Sequence, residues 1–408
     1  MAHFAYVWEL GSNFGHLANF SAVSRELRSR GHTISVIARR VDGYHLFLPR
    51  DSVRIYAAPC ISSRIPRDFV PRTWSDMVVH AGFADPDTLA DLLSSWRSLF
   101  QSIQPDLVIH NFSAAASLAS HSLSLPSVNM GLGYGLPPST QPLPALQPRS
   151  QLSESLRLEL DAAVFDAACR ALALLQLPPI ESIHDIYTGD TLLCSFAELD
   201  HYPSREGGRY YGASFELDAG VPARWPSAPG KKLFVYARAS GPHFRQLLTG
   251  LRASGLSTLL ACPDAPPGLV DKLSTDTLRI EPHPVNIRQA RQQADLMVCP
   301  GGQGTLAAFL LAGVPVLAFP DHQEQSIQAG VAQINQCGVA TLPPTADVAA
   351  LLKRAASDPQ LQAQAQAFAK RYSDYSMERQ ASALSDDLEK LVAGTALESA
   401  PTNTAWRS

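Results

Sequence analysis

The sequence predicts an α/β protein built from two parallel, doubly wound sheets. Short apolar runs alternate with helical patterns through both halves of the 408-residue chain, and this alternation is typical of parallel strands joined by helices. A segment rich in Gly, Pro and charge, residues 204–232, separates the halves. In the second half of the chain, a glycine-rich turn, residues 301–304, joins a buried strand to a helix. We therefore expect two Rossmann-like domains facing across a cleft.

The first half contains five predicted strands, residues 4–8, 33–38, 107–110, 127–130 and 191–196. Between the first two, residues 16–30 place apolar side chains on one helical face, and Gly31 is positioned to end that helix. A proline-rich segment, residues 136–148, interrupts the alternation of strands and helices and is expected to be a surface loop over a pocket.

The second half contains five further predicted strands, residues 233–236, 258–262, 278–280, 296–299 and 314–319. The expected organisation is a first Rossmann-like domain (1–203), a linker (204–232), a second Rossmann-like domain (233–375), a helix that packs back on the first domain (376–393) and a disordered tail (394–408).

Composition and charge exclude several classes of function. The chain is 46% hydrophobic and 17% charged, as in ordinary soluble globular proteins, and its net charge of −4 favours neither nucleic acid nor an anionic membrane as a partner. No apolar stretch is long enough for a membrane span, and no secretory signal pattern precedes the first strand. The six scattered cysteines suit a reducing compartment, so a cytoplasmic protein is expected.

The segment from residue 294 to residue 325 contains the strongest functional signal. A strand, a glycine turn, a helix opening at Thr305 and a second strand lead to the polar residues 321–325. The first N–H groups of a helix and its dipole favour a phosphate group. Open α/β sheets bind ligands at the carboxyl ends of their strands, where the second strand delivers Glu324 and Gln325.

These motifs resemble those of the UDP-glycosyltransferase-like nucleotide-sugar glycosyltransferases, family one, which have the two-domain GT-B fold. The matching stretches are Pro-Gly-Gly-Gln-Gly-Thr at 300–305, Gly-Val-Pro at 313–315, the Glu324–Gln325 pair, and an N-terminal glycine loop that ends at His16. The resemblance implies a metal-independent, inverting transfer of a sugar from a UDP- or dTDP-sugar to a hydroxyl of a small, largely apolar acceptor, a natural product or lipid. The nucleotide sugar is a co-substrate, and no cofactor is implied.

The resemblance assigns catalysis to His16, which takes the proton from the acceptor hydroxyl; imidazole suits this role because its ordinary pKa leaves it mostly neutral at cytoplasmic pH. The alternative is a histidine that only hydrogen-bonds the loop backbone. The family orients this histidine with an aspartate, whose position is occupied here by Asn111. An amide can hold the ring but cannot stabilise its charge, so the acceptor is acidic, another carboxylate assists, or the base is different. His110 is the rival base, although strand alternation points it away from Asn111.

The resemblance also assigns the donor phosphates to the glycine turn and to Ser240. The family's phosphate-contacting histidine is replaced by Pro300, and Arg238 either supplies the lost charge or faces solvent. Glu324 and Gln325 match the pair that holds sugar hydroxyls, and the base-contacting segment contains His283 and Val285 but no tryptophan. The donor-binding residues expected are Ser240, Arg238, His283, Val285, Gly301, Gly302, Gly304, Thr305, Glu324 and Gln325.

Several aromatic residues of the first domain are candidates for an apolar acceptor pocket. Trp74, Phe83 and Tyr134 lie in loop-like segments, with core packing as the alternative. Phe14 and His110 complete the set of expected acceptor-binding residues. Residues 85–87 spell Asp-Pro-Asp, a metal-binding pattern elsewhere, but here they open a helix and are expected to form its N-terminal cap. His322 beside Asp321 could bind a metal ion, but no third ligand lies at a suitable spacing, so a metal site is not expected there.

Two other functions compete with glycosyl transfer. Nucleotide-sugar 2-epimerases share the two-domain fold, but they need several carboxylates where this chain has His16 and Asn111. A catalytically weak sugar-nucleotide-binding partner protein is suggested by Asn111 and Pro300 together.

Overall fold

A computed structural model describes residues 1–11, 15–61, 69–187, 189–266, 268–341 and 347–397. The chain divides into two compact units. The N-terminal unit contains the chain up to Ser214 together with the helix that follows residue 376. The C-terminal unit contains Phe215–Tyr375.

The N-terminal unit is built on a seven-stranded parallel sheet in the order β3-β2-β1-β4-β5-β6-β7. Its strands are β1 (His3–Trp8), β2 (Thr33–Ala38), β3 (Arg54–Ala57), β4 (Leu107–Asn111), β5 (Ser127–Gly131), β6 (Thr191–Leu193) and β7 (Arg209–Tyr210). The strand order reverses between β1 and β4, which pair directly, so that Trp8 lies beside Asn111. In such sheets the crevice for a ligand opens at the carboxyl ends of these two strands.

Helices cover both faces of this sheet. They include α1 (Gly15–Ser29), α2 (Trp74–Val78), α3 (Pro86–Ile103), α4 (Ala114–Ser122) and α5 (Glu154–Leu174). Alternate residues of β1 divide between the two faces: Tyr6 and Trp8 pack with α1, whereas Val7 packs with the α3–α5 side. The unit therefore has two apolar cores separated by the sheet.

The C-terminal unit contains a six-stranded parallel sheet in the order β10-β9-β8-β11-β12-β13. Its strands are β8 (Lys232–Tyr236), β9 (Ser257–Ala261), β10 (Leu278–Glu281), β11 (Leu296–Cys299), β12 (Val316–Ala318) and β13 (Val339–Thr341). Its helices are α6 (Phe244–Ser254), α7 (Leu269–Leu273), α8 (Ile287–Gln293), α9 (Gln303–Leu310), α10 (Gln323–Ile334), α11 (Val348–Ala356) and α12 (Pro359–Arg371). The strand order reverses between β8 and β11.

The last helix, α13 (Met377–Val392), belongs to the N-terminal unit and packs on α1. Leu384 and Leu388 are fully buried against α1 and β1. Arg30, at the end of α1, contacts Asp386 at 2.6 Å and Glu389 at 2.8 Å. These contacts attach the end of the chain to its first helix.

The sequence patterns located most elements but missed three edge strands, β3, β7 and β13. β3 has four residues, none of them buried, β7 has only two residues and lies in the segment expected as a linker, and β13 has three residues. The last strand of the first sheet is therefore β7 rather than residues 191–196.

In the segment 136–148, Leu143 and Leu146 are fully buried, so this part of the chain packs into the unit. None of the described helices is both long and apolar enough to cross a bilayer.

Candidate active site

The carboxyl ends of β1 and β4 bring His16 and Asn111 together. The His16 Nδ1 atom lies 2.6 Å from the Asn111 Oδ1 atom. The other end of the amide donates from Nδ2 to the Met130 carbonyl oxygen at 2.8 Å. Because this second bond fixes which end of the amide faces His16, Nδ1 must carry the proton. The lone pair is therefore on His16 Nε2, which is the atom that a general base needs.

Three neighbours hold the imidazole in place. Trp8 stacks on the ring with centroids 5.1 Å apart and an angle of 21° between the planes. The Tyr6 hydroxyl donates to the His16 carbonyl oxygen at 2.6 Å. Gly11 has a φ of +88°, and a Cβ atom at this position would lie 2.5 Å from His16 Nε2. Glycine is therefore required at residue 11 both by its backbone conformation and by the closeness of the ring.

The surroundings of His16 keep the ring neutral. Burial lowers the pKa of His16, and the hydrogen bond that His16 Nδ1 donates to Asn111 Oδ1 opposes this only in part. A carboxylate in place of the amide would stabilise the imidazolium, but an amide oxygen carries only a partial charge. The site thus presents an oriented, unprotonated and weakly basic imidazole.

The other histidine of this strand, His110, points to the opposite side of the sheet. Its Nδ1 atom lies 3.0 Å from the Ser113 hydroxyl and its Nε2 atom 3.1 Å from the Ser120 hydroxyl. The side chain is buried, and burial lowers its pKa to about 3. His110 is thus a neutral core residue with both nitrogens engaged. These features favour His16 over His110 as the base, and the contact of His110 with the acceptor stays a prediction.

Two of the expected acceptor residues are core residues. Trp74 and Phe83 are each 1% exposed and belong to the core on the α3–α5 side of the sheet. Trp74 also donates from Nε1 to the Gly135 carbonyl oxygen at 3.1 Å. These positions match the alternative of core packing that the sequence left open, and the acceptor contact of Trp74 and Phe83 stays a prediction. Phe14 lies outside the described residues.

Tyr134 differs from these two because it is half-buried at the carboxyl edge of the sheet. It lies on the turn Gly133–Gly135, directly after β5. Its ring packs against Phe112, with centroids 6.5 Å apart, and against His201, at 5.5 Å. Phe112 is the residue after Asn111, so Tyr134 remains a candidate for acceptor contact.

The acidic pattern at 85–87 is a helix cap. The Asp85 side chain accepts from the Thr88 N–H at 3.0 Å, at the start of α3. Across the described ranges, no group of three or more His, Cys, Asp or Glu side chains has a geometry that could hold a metal ion.

In the C-terminal unit, the glycine turn after β11 forms an open helix start. Gly301 has a φ of +100°, which favours glycine. Gly302 is the N-cap of α9 in an extended conformation, and a Cβ atom there would meet no heavy atom within 4 Å. The helix begins at Gln303, two residues before the predicted start at Thr305. Since glycine provides no capping side chain, the N–H groups of the first turn, including Gly304 and Thr305, are available to an anion.

A small, open pocket lies beside this turn, at the carboxyl ends of β8 and β11. Its lining is mostly apolar, with one basic and one acidic side chain, Arg238 and Asp321. Its lining residues are Tyr236, Ala237, Arg238, Gly241, Phe244, Leu247, Cys299, Pro300, Phe319 and Asp321. Arg238 thus lines a pocket beside Pro300, the position where the resemblance implied a missing cation.

Ser240 is held by an acid that the sequence reading did not single out. Its hydroxyl donates to Asp264 Oδ2 at 2.6 Å, and its N–H donates to the same oxygen at 3.1 Å. These bonds help hold the pKa of Asp264 below its ordinary value, against the effect of burial. Ser240 must therefore exchange partners before its hydroxyl can donate to a phosphate.

Glu324 and Gln325 lie in the first turn of α10, and they follow Asp321, which lines the pocket, in the sequence. Burial raises the pKa of Glu324 to about 7. Gln325 accepts at Oε1 from the Asp321 N–H at 2.9 Å. Its amide nitrogen then points away from that bond as a donor. The pair therefore presents a carboxyl group and an amide donor at one strand end.

The two residues expected near the nucleobase have different environments. His283 is exposed, and its Nδ1 atom lies 2.9 Å from Glu281 Oε1. Val285 is 4% exposed and pairs through its backbone with Val221. The Val285 side chain is part of the core, so a contact with a base at this position falls to the backbone or to His283.

Solved structures share this architecture over nearly the whole chain. The glycotransferase of kitacinnamycin is 18% identical with a TM-score of 0.68, and the match covers 96% of this chain and 98% of that one. The glycosyltransferase VinC in complex with dTDP is 15% identical with a TM-score of 0.63, covering 96% and 98%. A UDP-glucosyltransferase from Polygonum tinctorium capable of glucosylating indoxyl is 14% identical with a TM-score of 0.65, covering 96% and 98%.

The chain has the fold of these glycosyltransferases. No protein-family profile and no curated relative matches the sequence. The two-sheet arrangement that the sequence predicted is therefore confirmed by structural likeness rather than by sequence similarity.

Within this glycosyltransferase fold, two acids at strand ends escaped the sequence analysis. Glu9 follows β1, is 1% exposed and accepts at Oε2 from the Ala115 and Ala116 N–H groups at the start of α4. Asp264 follows β9. Both come shortly after apolar strand runs, and this position was the signal that could have indicated them.

Proposed function

We propose that this protein is a metal-independent, inverting glycosyltransferase that moves a sugar from a UDP- or dTDP-sugar to a hydroxyl of a small, largely apolar acceptor. The observation that carries the proposal is the His16–Asn111 pair. Its hydrogen bonds fix the tautomer that leaves Nε2 as a proton acceptor, and a structural role alone would not require this.

In the proposed reaction, the N-terminal site accepts a proton and the C-terminal site stabilises negative charge. His16 Nε2 takes the proton from the acceptor hydroxyl as its oxygen attacks the anomeric carbon from the face opposite the diphosphate. The bond from the anomeric carbon to the diphosphate oxygen breaks, and the nucleoside diphosphate leaves with that electron pair. The N–H groups at the start of α9 stabilise the negative charge of the leaving group. Arg238, beside Pro300, adds a positive charge on the same side.

The weak basicity of His16 indicates an acidic acceptor. Because Asn111 is neutral, the imidazolium that forms during the reaction gains little electrostatic stabilisation. A phenol gives up its proton about six pKa units more readily than an ordinary alcohol, since its pKa is near 10 as in tyrosine. A phenolic hydroxyl therefore matches this base better than an aliphatic one. The aromatic rings of Phe112 and Tyr134 at the same strand ends support an apolar, aromatic acceptor.

The donor class is supported by the C-terminal unit and by the structural likeness. The glycine turn, the uncapped start of α9 and the pair Glu324–Gln325 offer a phosphate site followed by groups that bind hydroxyls. One structure of this fold is named for its complex with dTDP and another for its UDP-glucosyltransferase activity. Both nucleotides are therefore proposed as donor carriers.

One specific pair of residues favours a second candidate, a catalytically weak sugar-nucleotide-binding partner protein. Asn111 and Pro300 replace two groups that the glycosyltransferases of the resemblance use for chemistry. Such a protein would bind the donor in its C-terminal unit without turnover.

An incubation of the pure protein with UDP-glucose or dTDP-glucose separates the candidates. Without an acceptor, slow hydrolysis of the donor supports the glycosyltransferase. With a phenolic acceptor, release of nucleotide and formation of a β-linked glucoside are expected. An α-linked product would contradict inversion, an epimerised donor would indicate the epimerase, and binding without turnover would favour the partner protein. Activity that EDTA abolishes would contradict metal independence.

A further inference from the structure

Two consecutive residues of the N-terminal unit carry buried polar atoms without partners. His201 and Tyr202 follow β6 and are 1% and 2% exposed. Neither ring nitrogen of His201, nor the hydroxyl of Tyr202, has a hydrogen-bond partner among the described residues. Since buried polar groups in folded proteins are nearly always paired, an imidazole with both nitrogens unpaired indicates a missing ligand group or water.

The segment that carries the unpaired imidazole is firmly held by its neighbours. The fully buried Asp200 carboxylate accepts from Arg205 Nε at 2.6 Å, from the Tyr210 hydroxyl at 2.7 Å and from the Tyr202 N–H at 3.2 Å. On its other side, a Cβ atom on Gly133 would lie 1.9 Å from Asp200 Oδ1. The backbone around His201 is thus packed on both sides.

The position of His201 connects it to the proposed active site. Its ring packs against Tyr134, which packs against Phe112, the residue that follows Asn111. These residues come after β4, β5 and β6, at the same carboxyl edge of the sheet as His16. Tyr134 is half-buried, while His201 beneath it is buried. Tyr134 lies between two glycines, and its ring is one of the groups packed against the imidazole.

We propose that His201 is an acceptor-specificity residue that hydrogen-bonds a neutral hydroxyl of an aromatic acceptor packed along Tyr134 and Phe112. This inference rests on the proposed function and names the acceptor class. A neutral imidazole has one donor and one acceptor, which is the combination that a hydroxyl can satisfy. Burial lowers the pKa of His201 to about 4, so the ring is neutral at pH 7 and offers a carboxylate no opposite charge.

The test compares phenol with toluene, which have nearly the same shape but differ in the hydroxyl. Binding of each to the full-length protein is measured by NMR titration at millimolar concentrations, without nucleotide or turnover. Wild type should bind phenol ~10-fold more tightly than toluene, the effect of about one hydrogen bond between neutral groups. His201→Leu should remove this preference, and His201→Asn, which keeps a donor and an acceptor, should restore part of it.

Thermal unfolding distinguishes recognition from a structural role. Because His201→Leu removes an unpaired buried imidazole, its unfolding midpoint should equal or exceed that of wild type. His121→Leu, which removes an exposed imidazole from α4, is the matched control and should keep the preference for phenol.

Three results would overturn the proposal. They are failure of wild type to bind phenol, equal binding of phenol and toluene, and a preference for phenol that survives in His201→Leu. Because no donor is present, none of them depends on whether the protein transfers sugars. Failure of the proposed function would instead appear in the incubation with nucleotide sugar.

Discussion

The two units share a topology but make their candidate sites from different parts of the chain. Each has a parallel sheet whose order reverses at a central pair of strands, β1 with β4 and β8 with β11. In the N-terminal unit, the groups at this edge are side chains, and His16 and Asn111 are 95 residues apart in sequence. In the C-terminal unit, they are mainly backbone N–H groups and side chains from one continuous segment, residues 301–325.

This difference has a physical cause. A diphosphate can be bound by peptide N–H groups that any sequence provides, as long as glycine permits the turn and the close approach. Proton abstraction needs a titratable side chain held in one tautomer, so it requires partners from several strands. The N-terminal site therefore depends on long-range packing, and the C-terminal site depends on a local motif. Mutations should separate the two.

The largest effect is expected for His16→Ala. Loss of the base should lower kcat by ~10²–10⁴-fold while donor affinity stays near the wild-type value, because the donor groups lie in the C-terminal unit. The measurement is nucleotide release from UDP-glucose with a phenolic acceptor, together with calorimetric binding of UDP. His121→Ala is the control, since it removes an exposed imidazole from the same unit. Activity within threefold of wild type would contradict the assignment.

The opposite pattern is expected for Gly304→Val in the first turn of α9. A branched side chain there should block close approach of the diphosphate and weaken UDP binding by at least ~100-fold, or ~2.7 kcal/mol. The control is Gly330→Val in α10, where a Cβ atom would meet no heavy atom within 4 Å. Calorimetry with UDP should show loss only in the first variant. Normal UDP affinity in Gly304→Val would place the phosphates elsewhere.

Glu324→Ala should separate the sugar from the nucleotide within one unit. UDP lacks the hydroxyls that Glu324 would hold, so its affinity should not change. The intact nucleotide sugar should lose ~1.5–3 kcal/mol, the value of a hydrogen bond to a charged group. Titrations of both ligands at pH 8 and above, where this carboxyl is ionised, provide the measurement, with Ser326→Ala as the control. An equal loss of both ligands would mean that Glu324 supports the turn rather than the sugar.

A smaller effect is expected for Asn111→Asp. The new carboxylate should raise the pKa of His16 and stabilise the imidazolium, so activity on aliphatic alcohols should hold or rise by up to ~10-fold. Because the base must be unprotonated, the acidic limb of the pH–rate profile should move to higher pH. A profile that does not move would indicate that the two side chains are not coupled during the reaction.

The smallest expected effect is on stability alone. Burial raises the pKa of Glu9 to about 8 from its usual 4.5, so the folded protein keeps a proton that the unfolded chain releases. The stability contributed by this neutral carboxyl is full below pH 4.5 and is lost as the pH rises to about 8. Glu9→Gln cannot ionise. Its unfolding temperature relative to that of wild type should therefore increase as the pH rises from 4.5 to about 8. The control is Glu154→Gln, which removes an exposed acid at the start of α5 and should show less change. If the difference in unfolding temperature between Glu9→Gln and wild type does not change with pH, the buried, protonated carboxyl is contradicted.

The sequence by itself determined the fold class and the local part of the proposed donor site. Alternation of apolar runs and helical patterns fixed most strands to within one or two residues, because both are set by short-range periodicity. The glycine turn at 301–304 and the pair Glu324–Gln325 were visible for the same reason, since all their groups lie in one strand-helix-strand segment.

Only the tertiary structure decided which side chains face the edge of the N-terminal sheet. His110 and Asn111 are adjacent, yet one is enclosed between two serines and the other orients His16. Trp74 and Tyr134 both look like loop aromatics, but helices bury the first and leave the second half-exposed. The unpaired nitrogens of His201 appear in no motif. Burial and hydrogen-bond pairing are sums over neighbours that are distant in sequence, so no local pattern specifies them.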